Sequence, residues 1–130
     1  MRLATPLIKV CFFLLALLIA APLMAAEPKN LSSVQLQAVL ARDKNIFLLD
    51  VRTPEEYGQA HLRGARLIPL AELGKRLREV PRDRPLLVYC AVGARSATAA
   101  KKLAGQGDRD IYQMSDGLVG WYKNGFPVEK

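Results

Sequence analysis

Short, mostly apolar runs alternate with amphipathic stretches along most of the chain. Ile46 to Leu49 ends at Asp50, and Ala65 to Ile68 is stopped by Pro69. Leu86 to Tyr89 ends at Cys90, and Ile111 to Tyr112 extends towards Met114. Runs this short, separated by helical material, predict buried parallel strands. Ser32 with Gln35 has the spacing of a capping box and predicts a helix over Val34 to Arg42. Thr53-Pro54-Glu55-Glu56 predicts a second, with Thr53 as cap, Pro54 in the first turn, Glu56 reaching back and Gly58 ending it. Leu70, Leu73, Leu77 and Val80 fall on one face of a helix that Pro81 terminates. Further helices are predicted over Ser96 to Leu103 and over Gly117 to Asn124, which carries Trp121.

This alternation predicts an α/β domain with a central parallel sheet of four to five strands and helices on both faces. Ligands gather at the carboxyl ends of such strands, and Asp50 and Cys90 both fall at strand ends. A chain of 130 residues has room for one domain. With 51% hydrophobic and 24% charged residues and no short repeat, it is neither disordered nor a repeat protein.

One segment breaks the pattern. Met1 to Lys9 carries Arg2 and Lys9 and no acid, and Val10 to Ala26 carries no charge at all. Ala25 and Ala26 then precede the polar Glu27-Pro28-Lys29. A basic start, an apolar run and small residues before a polar stretch describe a secretory signal over residues 1–26. An uncleaved anchor fits less well, because the run is at the short edge for a bilayer and Pro22 interrupts it. Lipidation at Cys11 lacks the small apolar approach it needs. The mature chain is expected to span residues 27–130, in the periplasm or secreted, with no membrane association. Its charge falls from +7 to +5, with 17 basic and 12 acidic side chains remaining. Cys11 leaves too, so Cys90 is the single mature cysteine.

A lone thiol in an oxidising compartment is either a buried small hydrophobe or a reagent. Cys90 alone would suggest packing; the loop around it suggests chemistry. Ala91, Val92, Gly93 and Ala94 form a short turn, and Arg95 and Ser96 then open a helix. Amides and partial positive charge at a helix start, with a nearby cation, lower a thiol's pKa and bind oxyanions. Arg95 has no evident structural reason to be there. One Cys and one His far apart do not make a metal site.

At this point the chain resembles the rhodanese family over most of residues 31–129. Asp50-Val51-Arg52 with Glu56-Tyr57 resembles its first motif, and His61-Leu62-Arg63-Gly64-Ala65 with Ile68-Pro69 its second. Cys90 to Ser96 resembles its active-site loop. Asp116-Gly117, Trp121 and Gly125-Phe126-Pro127-Val128 resemble its closing motif. Ala60 and Asp116 each stand where the family usually has glycine. The resemblance implies a sulfurtransferase in which Cys90 takes the outer sulfur of thiosulfate as a persulfide and passes it to cyanide or a thiol. Two-step transfer is nucleophilic catalysis with ping-pong kinetics. Arg95 and the amides of Ala91, Val92, Gly93, Ala94 and Ser96 would cradle the anion. No cofactor beyond the sulfur is implied. The expected partners are a small anionic donor and a thiophilic acceptor, and the chain is expected to be a monomer.

Rival readings remain. Phosphatases and arsenate reductases of this fold hold an oxyanion within five residues between Cys and Arg; here four lie between Cys90 and Arg95, a cradle better sized for one sulfur atom. A mercaptopyruvate-specific enzyme favours an uncharged loop. A sulfur carrier without thiosulfate turnover would use the same thiol. Nucleic-acid binding is suggested only by Arg76, Arg78, Arg82 and Arg84, which have few aromatics among them and read as a solvated basic face. Asp50 and Arg52 are expected to pair structurally, His61 to be a hydrogen-bonded turn residue, and Trp121 and Tyr122 to pack the last helix.

Overall fold

The computed structural model describes residues 27–130. The expected signal segment lies outside the described residues. Five strands form one parallel sheet in the order β1-β5-β4-β2-β3, with β1 at Lys29–Leu31, β2 at Phe47–Asp50, β3 at Arg66–Leu67, β4 at Leu86–Tyr89 and β5 at Ile111–Met114. The helices are α1 (Ser33–Arg42), α2 (Pro54–Gln59), α3 (Leu70–Leu73), α4 (Ala94–Ala104) and α5 (Gly117–Lys123).

Side chains alternate across a strand, and that period divides the core in two. Leu86, Val88 and Cys90 of β4 and its exit pack with Leu49, Val51 and Ile111 against Leu73, Ala99, Ala100 and Leu103 of α3 and α4. Leu87 and Tyr89 face the other way, with Met114, Leu36 of α1 and Leu118 and Trp121 of α5. All four residues of β4 are buried, as a central parallel strand requires. Register brings Asp50 beside Tyr89, and Val88 beside Gln113, so the exits of β2, β4 and β5 share one edge.

Both predicted capping boxes form, at Ser32 with Gln35 and at Thr53 with Glu56. The helix predicted through Leu70 and Val80 does not run continuously. It is α3 followed, after a turn at Gly74, by a 3-10 turn at Leu77–Glu79. Gly74 is a poor helix former, and bonds from Lys75 N–H to Glu72 O and from Arg76 N–H to Leu73 O already have the tighter three-residue spacing. The leucines keep their inward role: Leu73 and Val80 are buried, and Leu70 and Leu77 pack against them. Strand β1 is one that the apolar pattern misses, because its Lys29 and Asn30 are exposed and its pairing with β5 is made by the backbone.

Candidate active site

The site is built where β4 ends. Cys90 O accepts from Leu118 N–H at 2.8 Å and Ala91 O from Val119 N–H at 3.0 Å, so the first turn of α5 draws the loop's carbonyls outward. A planar peptide points its N–H opposite to its C=O, so the Ala91 and Val92 amides are turned away from α5. Gly93 completes the turn at φ 99°, and a side chain there would strike the Ser115 carbonyl. Gly117, at φ 63°, lies flat against the Ala91 carbonyl with no room for a Cβ.

The Cys90 sulfur sits inside this turn. It accepts from Gly93 N–H at 3.1 Å and from Ser96 N–H at 3.3 Å, and the Ser96 hydroxyl lies 3.3 Å away. Burial pushes the thiol's pKa up. Hydrogen bonds from the Ser96 hydroxyl and amide, with the Val92 and Gly93 amides, outweigh it and hold the thiol below its ordinary value of 9.0. Cys90 is only 1% exposed, yet its sulfur faces polar donors of the loop rather than the aliphatic core alone.

The cradle is made by backbone: Val92 turns its amide to the sulfur while the residue is 64% exposed, and Ala94 is exposed at the start of α4. Ala91 lines a cleft of about 270 Å³ beside the loop, together with Arg52, Glu56, Leu118, Val119 and Tyr122. Arg95 needs correction, because it has a structural partner. Its guanidinium grips Glu56 bidentately, at 2.7 and 2.9 Å. That contact, opposed by burial and helped by the Thr53 cap, lowers the Glu56 carboxyl to about 2. The hydrogen bonds named above lead in lowering the Cys90 thiol, and the Arg95 charge also acts on the sulfur. Glu56 thus caps α2 and also tethers α4. Its second role was hidden because the partners lie 39 positions apart.

Asp50 and Arg52 form the expected structural pair, both buried. Arg52 Nη2 reaches Asp50 Oδ2 at 2.7 Å and Ala60 O at 2.6 Å, fastening the exit of β2 to the end of α2. His61 is structural as expected. It stacks on Tyr57 at 3.8 Å, and its Nδ1 lies 2.9 Å from Tyr57 O, a pure acceptor, so Nδ1 carries the hydrogen. Trp121 is buried and donates to Pro127 O at 2.9 Å. Tyr122 is not packed: it is 70% exposed, because the inward face of α5 is taken by Leu118 and Trp121. Asp116 ties α5 to α1, accepting from the Ser33 amide and hydroxyl at 2.8 and 2.6 Å.

A buried residue that the sequence reading missed is Gln113 of β5, which donates to Gly93 O at 2.6 Å and to Ser96 Oγ at 2.8 Å. A lone amide inside the apolar run Ile111 to Met114 was the available signal.

A family profile described as Rhodanese-like domain matches residues 32–124. The chain belongs to the rhodanese-like family. It is 33% identical over 99 residues to a protein of Allochromatium vinosum named sulfurtransferase, covering 76% of this chain and 92% of that one. A thiosulfate sulfurtransferase of Vibrio cholerae is 27% identical over 96 residues, covering 74% and 91% of the two chains. The crystal structure of a rhodanese-related protein from Thermoplasma volcanium superposes with a TM-score of 0.69 at 28% identity, covering 78% of this chain and 97% of that one. In this rhodanese-like domain the matched span contains the whole Cys90 loop, Gln113 and the start of α5 that shapes the loop. Among the described residues no helix is long and apolar enough to cross a membrane, and no group of His, Cys, Asp or Glu side chains could hold a metal ion.

Proposed function

We propose that the protein is an exported thiosulfate sulfurtransferase that works through a Cys90 persulfide. The observation that carries this reading is the ring of donors around one sulfur at the carboxyl edge of the sheet. In the first step the Cys90 thiolate attacks the outer sulfur of thiosulfate. A new S–S bond forms at Sγ, the donor's S–S bond breaks, and sulfite leaves with the electron pair. In the second step cyanide carbon attacks the outer sulfur of the persulfide. Thiocyanate forms and Cys90 returns as thiolate, stabilised by the same donors. The four-residue spacing to Arg95 supports sulfur over phosphoryl as the transferred group. The basic, uncharged and small-residue order of residues 1–26 supports export.

The carrier alternative draws on one feature: Glu56 neutralises Arg95, the nearest cation on the loop. A carrier would form the persulfide once but release little thiocyanate. Steady-state thiocyanate production from thiosulfate and cyanide separates the two, and Cys90→Ser is expected to abolish it. Full activity in that variant would overturn both readings.

A further inference from the structure

We propose that Gln113 is a positioning residue that aims the Ser96 hydroxyl at the Cys90 sulfur. This rests on the reading of Cys90 as the reacting thiol. Gln113 is buried at 3% exposure, on the face of β5 that meets α4. Its amide nitrogen lies 2.6 Å from Gly93 O and 2.8 Å from Ser96 Oγ. A carbonyl oxygen can only accept, so the atom facing it is the NH2 and not the amide oxygen. Both of its hydrogens are then placed, one on each oxygen.

The consequence falls on Ser96. Its single hydroxyl hydrogen cannot point back at Gln113, which is already donating. Two acceptors remain, Gly93 O at 3.1 Å and Cys90 Sγ at 3.3 Å. Gly93 O already receives Gln113 and the Ala97 N–H at 3.0 Å, which fills both lone pairs. The hydrogen is left to the sulfur. Gln113 thus acts twice, by occupying the competing acceptor and by occupying the hydroxyl's own lone pair. Of the charged groups around the loop, Arg95 of α4 is held by Glu56 of α2 and Arg52 by Asp50 after β2, while Asp116 before α5 accepts from Ser33. None of them touches the Gln113 amide.

The test uses the folded mature protein and follows the pH dependence of Cys90 alkylation by iodoacetamide. Gln113→Met, similar in size without a donor, is expected to cut the thiolate fraction at neutral pH about three- to tenfold. Ser96→Ala should do the same, and the double variant should match Ser96→Ala alone. A purely packing role predicts instead an unchanged profile, or effects that add in the double variant, and either result overturns the proposal. Neutron diffraction of the unmodified protein gives a second reading that needs no variant to fold. The Ser96 hydrogen should point at Sγ; a hydrogen on Gly93 O contradicts the proposal. Neither measurement involves sulfur transfer, so failure here is distinguishable from failure of the sulfurtransferase reading.

Discussion

Cys90 is chemically ordinary except for what surrounds it. Three contacts within 3.3 Å convert a buried thiol, which burial alone would keep protonated, into one that ionises below its usual 9.0. Ser96→Ala should therefore move the inflection of sulfur transfer from thiosulfate towards higher pH, as measured by initial rates across the pH range. Arg95 and Glu56 make opposite predictions. Releasing Arg95 by Glu56→Gln leaves an uncompensated cation near the loop and should lower KM for thiosulfate, whereas Arg95→Ala should raise it. Steady-state kinetics of both variants check this. The stability effect of either is expected to be no more than about 1 kcal/mol, because the pair is partly exposed. The Glu56 carboxyl is lowered from 4.5 to about 2. The stability it contributes is fully present above 4.5 and is lost as pH falls through about 2. No Glu56 inflection should appear in rates measured near neutrality.

Elements place these residues more than any one contact does. The loop keeps its shape because α5 starts against its carbonyls and because Gly93 and Gly117 tolerate positive φ without a side chain. Gly93→Ala and Gly117→Ala each force a Cβ into backbone and should lower stability by at least about 2 kcal/mol in urea unfolding. The strand-turn-helix unit was legible in sequence because Leu86 to Tyr89 is wholly apolar and Gly93 precedes an alanine-rich helix. Less legible were features set by distant partners. Glu56 meets Arg95, and Gln113 meets Ser96, across separations of 39 and 17 positions that no local pattern encodes. Strand β1 stayed hidden for a related reason: it is defined by backbone pairing with β5, not by burial. The break at Gly74 shows the reverse case, in which an apolar period survives although the helix does not.

The whole molecule keeps its chemistry on one sheet edge, and its basic residues are only partly paired. Arg76 pairs with Glu72 and Glu79, and Arg66 also reaches Glu79, while Arg84 lies over the Phe47 ring. Removal of residues 1–26 would leave Cys90 as the only thiol, so a whole-protein mass reads one site. Expression with an export-competent host should give a product beginning after Ala25 or Ala26, checked by the mass of the purified protein. The most direct test of the account is intact mass spectrometry of that mature protein, first with thiosulfate and then with cyanide. The Cys90 persulfide reading predicts a gain of one sulfur atom, lost again on adding cyanide and absent in Cys90→Ser. No gain with thiosulfate, or the same gain in the serine variant, would contradict it.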